Sequence, residues 1–266
     1  MSRIARVFET ARGLSRPVFI PFITCGDPVP AMTAPICEAL ERAGAGIIEL
    51  GVPFSDPLAD GPTIQRSSQR ALAQGIGLRQ CLALAAEIRG RVAAALVLFT
   101  YYNPILRMGE ETFVKAARDA GLDGVLVTDL PLEEGGPLRT LLIANGIDPI
   151  LLVAPTTAPE RIAATAMQGR GFIYYVSRTG VTGQRESLPR ELAGEVTRLR
   201  KLTSLPVAVG FGISRPEHVR AVGNVADAVV VGSALVAVVE SALDAQGRAP
   251  EDLASRVGAA AAGLTA

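Results

Sequence analysis

Short apolar runs recur along the chain, and amphipathic stretches with helical spacing lie between them. The runs are rich in Val, Ile and Leu and are apolar on both faces, which is typical of parallel strands covered by helices on each side. The eight runs occupy residues 17–25, 46–51, 95–101, 124–128, 149–153, 172–176, 207–210 and 228–231. The clearest amphipathic stretches occupy residues 31–43, 78–89, 110–120, 159–168 and 189–201. The pattern therefore predicts repeated strand-then-helix units.

Eight such units in 266 residues have the size and rhythm of an α/β protein of the (β/α)8 TIM-barrel class. No linker or break in composition divides them, so we expect a single domain over residues 1–266. An extra amphipathic helix is predicted at residues 1–13. A doubly wound open sheet shares the alternation and stays the structural alternative. The longest connections, extended loops at 53–75 after strand two and 177–189 after strand six, are candidate lids.

The composition excludes several function classes. Half of the residues are hydrophobic (49%), and 26 basic residues balance 26 acidic ones, which disfavours a disordered chain or a basic nucleic-acid binder. One histidine and three cysteines without CxxC spacing predict no metal site. Sparse cysteines and the lack of a signal-like or membrane-spanning run favour a cytoplasmic location. The histidine, His218, is expected on the surface, in the first turn of a helix.

Glycines cluster at the carboxyl ends of the last three predicted strands. The clusters are 180–183, 210–212 and 232–233, and the last one opens a helix with Ser233. Glycine lets backbone N–H groups approach an anion closely, and a helix N-terminus attracts negative charge. In a barrel, the loops after strands seven and eight commonly bind phosphate. The clusters thus predict a phosphate site, although the glycines could also serve only to turn the chain.

Two acidic residues are candidates for acid–base chemistry. Glu49 interrupts an apolar strand near its carboxyl end, and alternation places it on the barrel interior with Ile47, where burial would raise its pKa. Asp60 follows in the connection after that strand. The structural alternatives are that Glu49 forms a salt bridge or faces the helix layer, and that Asp60 only shapes a turn. Lys115 and Lys201 lie away from strand ends, so Schiff-base chemistry is disfavoured. The chemistry that remains possible is cofactor-free proton transfer or carbon–carbon cleavage on a phosphorylated substrate.

Seven motifs follow one another along the chain. They are 21–28 (PFITCGDP), 49–65 (ELGVPFSDPLADGPTIQ), 102–105 (YNPI), 129–131 (DLP), 177–183 (SRTGVTG), 210–213 (GFGI) and 232–233 (GS). Together they resemble the tryptophan synthase alpha subunit family. The resemblance implies a lyase of tryptophan biosynthesis that reversibly cleaves indole-3-glycerol phosphate to indole and glyceraldehyde 3-phosphate without a cofactor. It also implies a beta subunit partner that receives the indole, in an alpha2-beta2 complex.

The resemblance also implies roles for individual residues. Glu49 would be the acid–base catalyst, and Asp60 would bind the indole N–H. The substrate-binding residues would be Phe22, Leu126, Tyr174, Thr182, Gly183, Phe211, Gly212, Gly232 and Ser233. The partner interface would include Pro53, Asp56, Asn103, Pro104, Asp129 and Pro131. Tyr175 adjoins Tyr174, and since neighbouring strand residues face opposite sides only one of the two can enter the site.

Two alternative functions stay open on the sequence. A phosphosugar isomerase of the same fold would explain the phosphate site but not the block at residues 56–65. A catalytically weak barrel kept as a scaffold would be marked by loss of Glu49 or Asp60, and both are present.

Overall fold

The computed structural model describes residues 1–176, 191–210 and 212–266. Three of the predicted site residues lie outside this part of the chain, namely Thr182, Gly183 and Phe211. The candidate lid at 177–189 lies outside it as well.

Eight parallel strands close into a barrel in which each strand pairs with the next along the chain and β8 pairs with β1. The closed barrel confirms the predicted fold class and rules out the open doubly wound sheet. The strands are β1 (Val18–Thr24), β2 (Ile47–Gly51), β3 (Ala95–Thr100), β4 (Gly124–Val127), β5 (Asp148–Val153), β6 (Ile173–Val176), β7 (Val207–Gly210) and β8 (Ala228–Val231).

Helices precede, cover and follow the strands. Within the described ranges they are α1 (Arg3–Gly13), α2 (Pro30–Arg42), α3 (Pro62–Ala73), α4 (Leu78–Arg89), α5 (Tyr102–Met108), α6 (Glu110–Asp119), α7 (Gly136–Ala144), α8 (Pro159–Gln168), α9 (Leu192–Arg200), α10 (Pro216–Gly223), α11 (Ser233–Ala242) and α12 (Leu253–Thr265). No helix in these ranges has the length and apolar character needed to cross a bilayer.

The side chains of each strand alternate between the barrel interior and the surrounding helices. In β2, Ile48 and Leu50 pack against the helix layer, whereas Ile47 packs inside the barrel with Val97 of β3. Glu49 comes two residues after Ile47 and shares its direction, near the carboxyl end of the strand. Because both sides of the barrel wall are covered, the strands are apolar on both faces.

Helix α1 closes the amino-terminal end of the barrel. Ile4 and Phe8 are buried among the interior side chains, and the ring of Phe8 lies 5.8 Å from that of Phe172. The Ser2 hydroxyl caps the helix by accepting the N–H of Ala5 at 3.2 Å. With this end filled, the carboxyl ends of the strands form the end that a substrate can enter.

The connection after β2 differs from its sequence prediction. Residues 53–75 were expected to form a loop and a candidate lid, but they contain the three-turn helix α3, which begins at Pro62. Its Ile64, Ser67 and Ala71 are buried. The connection is long as predicted, but the helix was missed because its period is carried by small and polar side chains such as Ser67, which a hydrophobic pattern does not detect.

His218 also differs from its prediction. It was expected on the surface, but only 7% of it is exposed. Val219 and Val222 lie with it on the buried side of α10. A single polar residue in a first helical turn does not reveal from sequence which side of the helix it occupies.

Candidate active site

A cavity opens at the carboxyl ends of the strands. The described residues that line it come from six strands or the turns after them, from α3 and from α11. They are Phe22, Glu49, Asp60, Ile64, Phe99, Tyr174, Gly212, Val230, Gly232 and Ser233. Both candidate acidic residues therefore reach one cavity, although Asp60 lies outside any strand.

Glu49 is fully buried in the wall of this cavity. Its backbone pairs in register with Phe22 of β1 and Val97 of β3, which fixes the direction of its side chain. No described residue forms a hydrogen bond with either of its carboxyl oxygens. Burial without a countercharge raises its pKa from 4.5 to about 8. Glu49 therefore holds a proton at neutral pH that it can deliver into the cavity.

Asp60 lies just before α3, and two side chains fix its position. The hydroxyl of Tyr101 donates to its Oδ2 at 3.0 Å, and Nε2 of Gln65 donates to its backbone carbonyl at 2.9 Å. Burial raises the pKa of Asp60 to about 6, and the hydrogen bond from Tyr101 opposes that rise. At neutral pH, Asp60 is therefore ionised while Glu49 stays protonated.

Tyr101 is a functional residue that sequence reasoning missed. It comes directly after β3, and its hydroxyl accepts the N–H of Ala59 at 3.0 Å while donating to Asp60. Its ring stacks on Phe54 with the centroids 4.8 Å apart. Its place at a strand end was a usable signal, because functional residues of barrels cluster there.

Tyr174, on β6, also lines the cavity. Burial raises the pKa of its hydroxyl well above the ordinary value, and the carboxylates of Glu49 and Asp60 add to that rise. A Cβ at Gly210 of β7 would lie 2.4 Å from this hydroxyl, so the position of Tyr174 requires glycine there. Tyr175 packs instead among the side chains between the barrel and its helices.

Aromatic and aliphatic side chains form the apolar wall. Phe22 and Phe99 meet edge to face at 5.4 Å, and a Cβ at Gly51 would lie 2.4 Å from the ring of Phe22. Phe99 and Ile64 line the cavity and were missed from the sequence. Alternation along β3 was a usable signal for Phe99, which shares the interior direction of Val97. Leu126 is buried in the barrel interior but does not line the cavity. These walls suit a flat aromatic ring.

Another part of the lining, next to Phe22, suits an anion. Gly232 is the N-cap residue of the ten-residue helix α11, and Ser233 is its first residue. The free N–H groups and the dipole of a helix N-terminus favour phosphate. Gly212, with φ +70°, is in the left-handed region that glycine adopts without strain.

The residues proposed for a partner interface lie on the rim around the cavity. Asp56, Asn103, Asp129 and Pro131 are exposed, and Pro104 is half-buried. Pro53 is mostly buried in the turn after β2, but it lines a surface groove together with Asn103 and Pro104.

Two large apolar side chains on the same rim were not predicted. Leu58 is 89% exposed and Leu106 is 58% exposed. The loops that carry the rim residues are tied together, since the backbone N–H of Tyr102 donates to Oδ1 of Asp129 at 2.7 Å. Leu58 and Leu106 add apolar surface to the rim that a bound protein would cover.

The site has the parts needed for proton transfer beside an aromatic ring. It combines a protonated carboxyl group, an ionised one, apolar walls and an anion-binding end. Among the described residues, no group of three or more His, Cys, Asp or Glu side chains could hold a metal ion.

The comparison with known proteins identifies the family. The model of the family described as "Tryptophan synthase alpha chain" matches residues 8–264. The chain belongs to this family. Among curated alpha chains of the family, that of Cupriavidus metallidurans is 52% identical over 243 residues, covering 91% of this chain and 92% of the relative. That of Geobacillus kaustophilus is 54% identical over 225 residues, covering 84% of each.

Solved structures agree with the family. Tryptophan synthase subunit alpha from Legionella pneumophila superposes with a TM-score of 0.90 at 34% identity, covering 99% of this chain and 97% of that one. A chain of the tryptophan synthase complex from Pyrococcus furiosus gives a TM-score of 0.84 at 37% identity, covering 93% and 97%.

Membership in the family confirms the sequence resemblance and decides among the functions that the sequence left open. The alpha subunit of this family is a lyase that cleaves indole-3-glycerol phosphate to indole and glyceraldehyde 3-phosphate, a reaction of tryptophan biosynthesis. The family works with a beta subunit. The phosphosugar isomerase and the scaffold barrel are therefore disfavoured.

Proposed function

We propose that this chain cleaves indole-3-glycerol phosphate with Glu49 as its acid–base catalyst and Asp60 as the acceptor of the indole N–H. The observation that carries the proposal is the state of Glu49. Its carboxyl group is fully buried, bonds to no described side chain, and shares one cavity with Asp60. A structural glutamate at such a position would be paired, since an unpaired buried carboxyl group is costly.

In the proposed cleavage, protonated Glu49 delivers its proton to C3 of the indole ring, and the ring becomes an indolenine with positive charge at nitrogen. The Glu49 carboxylate then takes the proton of the side-chain hydroxyl group as the carbon–carbon bond breaks. The aldehyde forms, and the bonding electrons return to the ring to restore indole. A pKa of about 8 suits a group that must both give and take a proton near neutral pH.

Asp60 stabilises the positive charge that develops on the ring. Its pKa of about 6 leaves it ionised at neutral pH, so its carboxylate accepts the indole N–H and stabilises the indolenine. Phe22, Phe99 and Ile64 hold the ring between apolar surfaces. The phosphate binds at Gly212, Gly232 and Ser233, where the N-terminus of α11 supplies backbone N–H groups.

The test separates chemistry from phosphate binding. The wild-type chain is expected to release indole and glyceraldehyde 3-phosphate in equal amounts. Asp60→Asn should lose turnover, because a neutral amide stabilises the cation less, but should keep its affinity for glycerol phosphate. Equal losses in turnover and in glycerol phosphate affinity would contradict this division of roles.

We further propose that the chain works in an alpha2-beta2 complex that it enters by the rim. The exposed Asp56, Leu58, Asn103, Leu106 and Asp129 support this surface. Covering the rim would exclude water and hold Asp60 in its position relative to Glu49. The rate of cleavage should therefore rise when the beta subunit is added. Unchanged turnover at saturation, with binding shown independently, would contradict the proposal.

A cytoplasmic location is also part of the proposal. Three buried cysteines without a disulfide among them suit a reducing compartment. Fractionation of cells that produce the chain, followed by detection with an antibody, would test it.

A further inference from the structure

One guanidinium group on helix α3 bonds to two other segments of the fold. Arg70 donates to both carboxylate oxygens of Asp27, from Nε at 2.7 Å and from Nη2 at 2.9 Å. Its third nitrogen, Nη1, donates to Oε1 of Glu240 at 3.2 Å. Asp27 lies in the turn after β1 and Glu240 near the end of α11, so Arg70 joins three segments of the fold.

The pair of Arg70 and Asp27 lies in the protein wall rather than on the surface. Only 3% of the Asp27 side chain and 22% of the Arg70 side chain are exposed. A second tie runs beside it, because the hydroxyl groups of Thr24 and Ser67 are 2.7 Å apart and buried. Two parallel bonds to a buried carboxylate fix a helix in direction as well as in distance.

The three segments that Arg70 joins all lead to the cavity. Asp60 comes just before α3, and Ile64 in the first turns of that helix lines the cavity. The helix that carries Glu240 begins at Ser233, in the anion-binding part of the lining. The turn that carries Asp27 follows the strand of Phe22, another lining residue.

Asp60 depends on both Tyr101, which donates to its carboxylate, and α3, because most of the segment before it is exposed. Ser55, Asp56, Leu58 and Ala59 are exposed. The backbone carbonyl of Asp60 is held by Gln65 of α3, so a shift of the helix moves the carboxylate.

We propose that Arg70 is a positioning residue for Asp60: by tying α3 to the buried Asp27 in the turn after β1, it holds the Asp60 carboxylate in its place beside Glu49 in the cavity. The inference rests on the proposed function of Asp60. Misplacement of a reacting group by about 1 Å can cost on the order of 10²-fold in rate.

The decisive variant is the double substitution Asp27→Asn with Arg70→Met. It removes the tie without leaving a buried charge unpaired, so the chain is expected to fold. Arg66→Met is the matched control, because Arg66 lies one turn away on the same helix and also pairs with Glu240, at 2.6 Å. Unlike Arg70, Arg66 is half-exposed and forms no bond to Asp27.

The kinetic result should separate the two variants. The double variant is expected to lose roughly 10- to 100-fold in kcat for indole-3-glycerol phosphate. Its affinity for glycerol phosphate should change by less than about threefold, and Arg66→Met should stay within about threefold in both measurements. The single variant Arg70→Lys should lose less kcat than the double variant. Its ammonium group can pair with Asp27, which this variant keeps, but cannot form both bonds.

Hydrogen exchange tests the same inference without activity. The N–H of Ala59 donates to Tyr101 and that of Asp60 to the carbonyl of Pro57 at 3.0 Å. Both amides should exchange faster in the double variant than in Arg66→Met. If exchange and kcat of the double variant match those of Arg66→Met, Arg70 does not position Asp60. If exchange rises while even the wild-type chain cleaves no substrate, the positioning stands and the proposed function fails.

Discussion

Glu49 and Asp60 show how position alone gives two carboxyl groups different tasks. Each is buried in the same cavity, but Tyr101 donates a hydrogen bond to Asp60 and no described side chain donates one to Glu49. The hydrogen bond favours the charged form, and burial favours the neutral form. The pKa values therefore separate, to about 6 for Asp60 and about 8 for Glu49. Such a separation assigns the acid and the anion of a reaction.

The raised pKa of Glu49 predicts how stability depends on pH. Below pH 4.5 the folded and unfolded chains both hold the proton, and between 4.5 and about 8 only the folded chain does. The free energy of unfolding should therefore fall by about 1.4 kcal/mol per pH unit across this interval. Glu49→Gln cannot titrate, so urea unfolding of both proteins at several pH values isolates the effect. A constant difference between the two proteins would contradict the assignment.

The hydrogen bond from Tyr101 predicts a shift in the pH–rate profile. Tyr101→Phe removes a donor that favours ionised Asp60, so the acid limb of kcat/KM should move to higher pH. The phosphate of the substrate also ionises near pH 6, but this substitution leaves that ionisation unchanged.

Tyr102→Phe is the control for this substitution. Its hydroxyl donates to Glu110 at 2.9 Å and does not bond to Asp60. An acid limb that is the same in both variants would show that Asp60 does not set it.

The strands were the most predictable elements, because burial on both faces leaves a continuous apolar run. The run predicted at residues 46–51 is strand Ile47–Gly51, and the runs at 207–210 and 228–231 match their strands fully. Helix α3 was missed, since much of its buried face consists of Ser67, Ser68 and Ala71 rather than large apolar side chains. Apolar periodicity detects helices only where large side chains carry the buried face.

The site was only partly predictable for a related reason. Glu49 was found because a carboxylate interrupts an apolar strand. Tyr101 follows a strand end, but its partner Asp60 is distant in sequence, so its role appears only when the fold brings Asp60 to its hydroxyl. Arg70 was missed since its partners Asp27 and Glu240 are distant in sequence.

The close approach of Tyr174 on β6 to Gly210 on the paired strand β7 predicts how one added methyl group changes activity. Gly210→Ala would place a Cβ 2.4 Å from the hydroxyl of Tyr174, which must then move within the cavity. We expect kcat/KM to fall by about tenfold or more, because displaced groups lose alignment with the substrate. Gly194→Ala is the matched control, since nothing lies within 4 Å of its new Cβ. Equal activity of the two variants would contradict the placement of Tyr174.

The barrel as a unit explains why residues distant in sequence form one site. Closure brings the carboxyl ends of all strands to one end, while α1 fills the other with Ile4 and Phe8. The proposed acid–base groups come from β2 and the segment after it, and the proposed anion-binding end comes from the turn after β7 and the start of α11.

The most direct test of the account is the cleavage of indole-3-glycerol phosphate by Glu49→Gln beside the wild-type chain. Glutamine keeps the shape of the side chain but cannot give and take a proton, so kcat should fall by about 10²- to 10⁴-fold while glycerol phosphate still binds. Circular dichroism and unfolding would show that the variant is folded. A folded Glu49→Gln with a rate within about threefold of the wild type would contradict the assignment of Glu49 as the acid–base catalyst.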